Sequence, residues 1–319
     1  MGCGRFLLIE KRCRRVNKGV LSAVLAYIMW GILPIYWKAL ANVSSEEILV
    51  SRVIWSFVFT FILVLLIGKR KHLIHDFKDL WKNKKAFFAL FSAAFLVTGN
   101  WFIYIWAVNH NYLVQTSLGY YMNPLLSVLL GVLFLKEKLG GVEKIAFMLA
   151  AIGVIKLTLF YGSLPWIALS LAASFALYGL FKKQVQLDAL RGLTIETLFV
   201  LPIALIFYLS LFSKHEAMLG TAGLKTTILL VGTGIITAIP LVLFAKGAQQ
   251  IPLYMVGFLQ YINPTIMLFL GVVIYREQFT MSELLSFAFI WMALLLFTVP
   301  KIWQAMQKNK IKKSADVSS

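Results

Sequence analysis

Charge is scarce in this chain. Only 14% of its 319 residues are charged, and acidic ones are the rarer kind, 13 Asp and Glu against 31 Lys and Arg. The acids fall in tails, in loops or near the ends of apolar stretches, so a proton carrier built on a carboxylate deep in a span is not expected, nor is an enzyme that needs converging titratable groups. Two cysteines, Cys3 and Cys13, exclude a disulfide framework and form no CxxC site. Four histidines leave little for metal ligation. The one cluster that imitates a metal site, His72, His75, Asp76 and Asp79, sits in a Lys-rich loop and reads better as an amphipathic loop helix. No GxxxxGK[ST] phosphate loop, HExxH pair or serine elbow is present, so no cofactor, metal or catalytic residue is assigned. Long polar stretches are missing too. The longest segment outside the apolar runs is about 18 residues, too short to fold by itself, which argues against the alternative of a non-transporting sensor or assembly partner on a permease scaffold.

What is abundant is hydrocarbon. Sixty per cent of the residues are hydrophobic and the mean hydropathy is +0.82, the composition of an integral membrane protein. Apolar runs occupy roughly residues 19–40, 46–67, 86–108, 112–135, 143–160, 164–181, 192–212, 225–249, 252–275 and 281–303. Each is near the ~20 residues a helical span requires. The runs are continuous, without the alternation of barrel strands, so the expected fold is all-α with ten transmembrane helices in the lipid bilayer. Cytoplasmic loops collect Lys and Arg. With the N-terminus inside, 24 of the 31 basic residues fall in inner segments and three in outer ones, so both termini are expected in the cytoplasm. The net charge of +18 follows from this topology, and its clusters lack the interleaved aromatics of a nucleic-acid surface.

The sequence also repeats. Residues 113–139 return as 253–279 at a constant offset of 140, with Leu113, Tyr121, Asn123, Pro124, Leu130, Gly131, Val132 and Glu137 matched by Leu253, Tyr261, Asn263, Pro264, Leu270, Gly271, Val272 and Glu277. Apolar composition explains a shared Leu, but not a shared Tyr-x-Asn-Pro followed by a Glu. Glu143 and Phe147 recur as Glu283 and Phe287, and Glu47 as Glu196. Five spans are an odd number, so a second set of five runs upside down. The expected organisation is a basic tail (1–18, unstructured), a first repeat (19–160), an inverted second repeat (164–303) and a basic tail (304–319). Inverted repeats support alternating access to a site near the midplane.

Together with TGNWFIYIWAVNHNYLVQTSLGYYMNPLLSVLLGVLFLKEKL in the first half and FLQYINPTIMLFLGVVIYREQF in the second, this duplication resembles the drug/metabolite transporter superfamily and, within it, the EamA-type permeases, over residues 18 to about 303. The resemblance implies a permease of the bacterial cytoplasmic membrane that moves a small-molecule solute, outward in the reading preferred here.

Polar residues inside spans carry the candidate chemistry, because hydrocarbon penalises them. Pro124 and Pro264 each remove a backbone donor and free a carbonyl mid-membrane, and the adjacent Asn123 and Asn263 are expected to cap the kink or bind the solute. Arg52 lies in span 2, where its counterpart on span 7 is the apolar Leu201. A central Arg costs about 3 kcal/mol to insert and needs an acceptor, which an anionic solute would supply. Asn100, Trp101, Tyr104, Tyr120, Tyr121, Tyr178, Gln260 and Tyr261 complete the candidate binding set, since rings offer stacking surface and amides fix orientation. His110 stands beside span 3 as a further titratable group.

Overall fold

The computed structural model describes residues 2–110, 113–161, 166–274, 276, 281 and 284–300, and every regular element among them is helical. In chain order these are α1 (Gly2–Lys38), α2 (Ser45–Leu66), α3 (Arg70–Lys82), α4 (Lys84–Asn109), α5 (Leu113–Leu135), α6 (Gly141–Tyr161), α7 (Trp166–Gln184), α8 (Ala189–Ser213), α9 (Leu224–Gln250), α10 (Leu253–Gln260), α11 (Ile262–Phe269), a π turn (Leu270–Ile274) and α12 (Leu284–Pro300). The side chains of Cys3 and Cys13, together with Glu277, Glu283 and the tail 304–319, lie outside the described residues.

Seven helices among the described residues are long and apolar enough to cross a bilayer, where the sequence reading counts ten. Composition accounts for two of the three: α6 is diluted by Glu143, Lys144 and Lys156, and α7 ends on Lys182 and Lys183, while α12 is described only over Leu284–Pro300. The first tail departs from expectation outright. Residues 2–18 are not an unstructured extension but continue α1, because no Gly or Pro interrupts the run from Arg5 to Lys18, and adding turns to a formed helix is cheap.

Side chains close the starts of α2, α8 and α10. Ser44 accepts from the Glu47 amide at 3.3 Å and Asp188 from the Arg191 amide at 3.3 Å, each meeting one of the unpaired N–H groups of a first turn. Glu47, fully buried, accepts from the Met218 and Leu219 amides at 2.8 and 2.9 Å and so anchors the turn between α8 and α9 to the start of α2. At the opposite end of the bundle, the Glu137 carboxylate accepts from Leu253 N and Tyr254 N at 2.8 and 2.9 Å, capping α10, and Lys183 lies 3.4 Å from it. The expected loop helix is present as α3. Its His75 pairs with Asp79 at 2.8 Å and its Asp76 with Arg191, so these groups are spent on one another.

Large apolar side chains face outward all around the bundle, among them Leu66, Leu133, Ile206 and Leu295, the reverse of a soluble protein and the surface that lipid covers. The interior is built on Tyr27, Tyr178, Phe244, Phe258 and Tyr261, all at most 1% exposed. Packing runs mainly between the front and rear of the sequence: α5 on α7, α1 on α9, α4 on α7, α2 on α9 and α8, α5 on α10, and α1 on α11. Where α5 crosses α10 the backbones nearly touch. A methyl on Gly257 would come within 2.8 Å of the Pro124 carbonyl oxygen, so only glycine fits.

Candidate functional site

The two repeated Asn-Pro pairs sit on the crossing pair, α5 and α10–α11, but their helices respond differently. Pro124 lies inside an unbroken α5, whereas the segment carrying Pro264 divides at Tyr261 into α10 and α11, and the Tyr261 carbonyl is taken up by the Thr265 amide and hydroxyl at 3.2 and 2.7 Å. Asn123 accepts a long bond, 3.5 Å, from Ser127 one turn on. The Asn263 amide oxygen is buried and has no hydrogen-bond partner.

Both asparagines open onto one cavity, whose space for the centres of water-sized molecules is about 110 Å³. Eight of the eleven candidate residues line it: Arg52, Asn100, Trp101, Tyr104, Tyr120, Asn123, Gln260 and Asn263. The other three do not. Tyr121 packs its ring edge-on against Phe287, with centroids 4.8 Å apart. Tyr178 stacks on Phe244 at 5.6 Å, and Tyr261 turns its hydroxyl to the Tyr121 carbonyl at 3.3 Å. Residue type alone selects them, but adjacent residues on a helix face different sides, and the sides that carry Tyr121 and Tyr261, next to the cavity-lining Tyr120 and Gln260, meet other helices.

Arg52 dominates the cavity's electrostatics. Its Nε donates to the Thr237 hydroxyl at 3.1 Å, and the guanidinium lies over the Trp101 ring at 4.0 Å and the Trp37 ring at 5.0 Å. Two indole faces stabilise the cation without neutralising it. Among the described residues no carboxylate pairs with Arg52, and its terminal nitrogens have no protein acceptor. The amides differ in freedom. Asn100 is committed, donating to Leu171 O at 2.8 Å and the Ser174 hydroxyl at 2.9 Å, which ties α4 to α7. Tyr104 and Tyr120 face each other at 5.9 Å and close one wall. Trp37, Thr116 and Thr237 also belong to the site, and the sequence gives little sign of it, since a hydroxyl or one more aromatic in an apolar run carries little signal. His110 stands apart, exposed and stacked on Trp106.

The acid inventory also needs correcting. Glu196 is not near a span end. α8 begins at Ala189, so Glu196 is its eighth residue, 2% exposed, and pairs with Lys182, itself 2% exposed. The sequence reading starts this span at residue 192, which puts Glu196 near its end.

A multi-pass helical bundle with lipid-facing sides and one polar, aromatic cavity where its two halves meet is the architecture of a membrane transporter. The chain belongs to the EamA-like transporter family, whose model matches it twice, at residues 17–159 and 164–299. It is 48% identical to the uncharacterized transporter YojE of Bacillus subtilis, over 92% of this chain and 98% of that one. Proteins called RarD are also similar: that of Escherichia coli is 38% identical over 93% of this chain and 99% of its own length, and a chloramphenicol-sensitive protein RarD of Pseudomonas aeruginosa is 30% identical over 88% and 93%. A solved crystal structure superimposes with a TM-score of 0.66 at 18% identity, covering 88% of this chain and 97% of that one, a likeness of fold alone.

Proposed function

We propose that this transporter is a secondary permease of the bacterial cytoplasmic membrane, with ten spans in two inverted units and both termini inside. It moves a small organic solute carrying an anionic or zwitterionic group, outward, by alternating exposure of the Arg52 cavity. The observation that carries the substrate class is the uncompensated guanidinium between two indole rings in a cavity whose other polar groups are amides and hydroxyls. A carboxylate would take the open guanidinium donors, while the solute's apolar body would lie against Trp101, Tyr104 and Tyr120.

The packing pattern supports inverted units. Exchanging α1 with α7, α2 with α8, α4 with α9, and α5 with α10–α11 turns the contact of α1 on α9 into α7 on α4, of α2 on α9 into α8 on α4, and of α5 on α7 into α10–α11 on α1. All of these contacts occur. The cavity takes its lining from the C-terminal ends of α1 and α4 and the N-terminal parts of α2, α5 and α7, the outer end of each of these spans in this orientation, together with Gln260, Asn263 and Met267 from the middle of α10–α11.

The test is comparative metabolite profiling of cytoplasm and medium from cells lacking the protein, overproducing it, or overproducing Arg52→Ala. A solute exported by the native protein should be anionic or zwitterionic, and Arg52→Ala should reduce its export at least tenfold, on the order of one charge-assisted pair. Equal transport by both forms would remove Arg52 from the site. If no solute is redistributed, the scaffold serves a sensor or assembly role instead.

A further inference from the structure

The carboxylates turned into the bundle divide into two kinds. Glu47 and Glu137 each have both oxygens engaged by backbone amides, as structural clamps do. Glu196 is different. Its Oε1 accepts from the Lys182 ammonium, while Oε2 is buried with no hydrogen-bond partner. Beside this pair the Tyr178 hydroxyl lies close enough to interact with the Glu196 carboxylate, yet neither it nor Oε2 completes a hydrogen bond of normal geometry. The carboxylate borders a small void with room for roughly one water, and Arg52 and Trp101 form that void's opposite wall while also lining the main cavity.

We propose that Glu196, with Lys182 as its resting counter-charge, is a proton-binding site that couples proton movement to solute movement through the Arg52 cavity. It rests on the transport reading above. In the resting state a carboxylate faces an ammonium. A proton delivered by water in the void bonds to the open Oε2, giving a carboxylic acid and leaving the Lys182 ammonium unopposed; release to water reverses the step. The charged and titratable groups that meet Glu196 are few. From α7 come Lys182 and Tyr178, and from α2 comes Arg52 across the void. The α4 and α9 side chains on the void, Ala94, Val97, Thr98, Trp101 and Leu241, do not titrate. From α3 comes Asp76, spent on Arg191.

The sign of the coupling follows from charge. With Glu196 ionised, the carboxylate offsets one of the two nearby cations. With it protonated, Arg52 and Lys182 both stand unopposed and attract an anion more strongly, so proton and anionic solute favour each other's binding. They therefore travel together. An accumulated organic anion leaving down its own gradient would carry a proton out with it.

Two measurements on the purified full-length protein decide the matter. Infrared titration from alkaline to acid pH should show the carbonyl stretch of a protonated carboxyl group that is absent in Glu196→Gln. Calorimetric binding of benzenesulfonate, an aromatic anion that stays ionised throughout, should tighten on the order of tenfold as pH falls. In Glu196→Gln binding should be tight at every pH, since Lys182 is permanently unopposed. In Glu196→Gln with Lys182→Met it should be weak and flat, and this double variant, which buries no lone charge, decides the matter if the single one fails to fold. Absence of a Glu196-dependent band, or binding that does not change with pH in the native protein, overturns the proposal and leaves the pair a structural staple. Failure to bind benzenesulfonate at any pH overturns the anion reading of Arg52 and the coupling with it, whereas binding that is present but flat overturns the coupling alone.

Discussion

Asn263 keeps a buried amide oxygen without a donor, a condition that costs stability and that a solute hydroxyl or ammonium would relieve. Asn123 faces the same cavity from the facing helix. Replacing both with Leu should abolish transport while the protein still reaches the membrane in normal amount, as read by solute export beside membrane-fraction immunoblots. Full activity would show the pair to be dispensable. Glu47→Ala makes the opposite kind of prediction: it strands the Met218 and Leu219 amides, and should lower stability by about 2 kcal/mol, visible as a fall in Tm. Such residues were legible in the sequence to the degree that hydrocarbon makes polarity conspicuous. Arg52 and the amides stood out for that reason. Tyr121, Tyr178 and Tyr261 stood out equally but pack into the interior, because residue type says nothing about which face of a helix looks inward. Thr237, which holds Arg52, was invisible among its apolar neighbours, and Glu196 was misplaced by an error of three residues in a helix start.

At the scale of elements, helices are readable wherever a run is long and apolar, and their ends are not. The continuation of α1 into the basic tail and the α10–α11 division both depend on local backbone bonding that periodicity does not report. The two prolines show this clearly. Pro124 is twelfth in a 23-residue helix with regular turns on both sides, whereas Pro264 is third in α11, where the chain has just broken. Close crossing of these elements yields a sharp expectation. Gly257→Val should force α5 and α10 apart at the Pro124 carbonyl and cut transport severely, while Gly68→Ala, in an open turn with nothing within 4 Å, should leave transport intact apart from backbone strain at its φ of +71°. Paired transport assays on the two variants check it.

For the whole molecule, the proposed inner end is sealed by Glu137 on the α10 amides with Lys183 beside it, and Lys183 also donates to Ile251 O at 2.5 Å. The cavity lies toward the other end. With Cys3 and Cys13 replaced by Ser, a single cysteine at Leu33 should therefore react with an impermeant maleimide added outside intact cells, and one at Tyr254 should resist the same reagent added to inverted vesicles; the reverse pattern would turn the assigned orientation over. The Tyr261 hydroxyl meeting the Tyr121 carbonyl has a consequence of its own, because these two residues are counterparts across the 140-residue offset. A bond between counterparts cannot be shared evenly: one tyrosine must give and the other receive, and in the alternating exchange proposed above the roles would exchange too. Under that exchange the contact would act as a toggle with two rest positions. Tyr261→Phe should tilt it toward the inward-facing state and Tyr121→Phe toward the outward-facing one, opposite shifts from chemically identical changes.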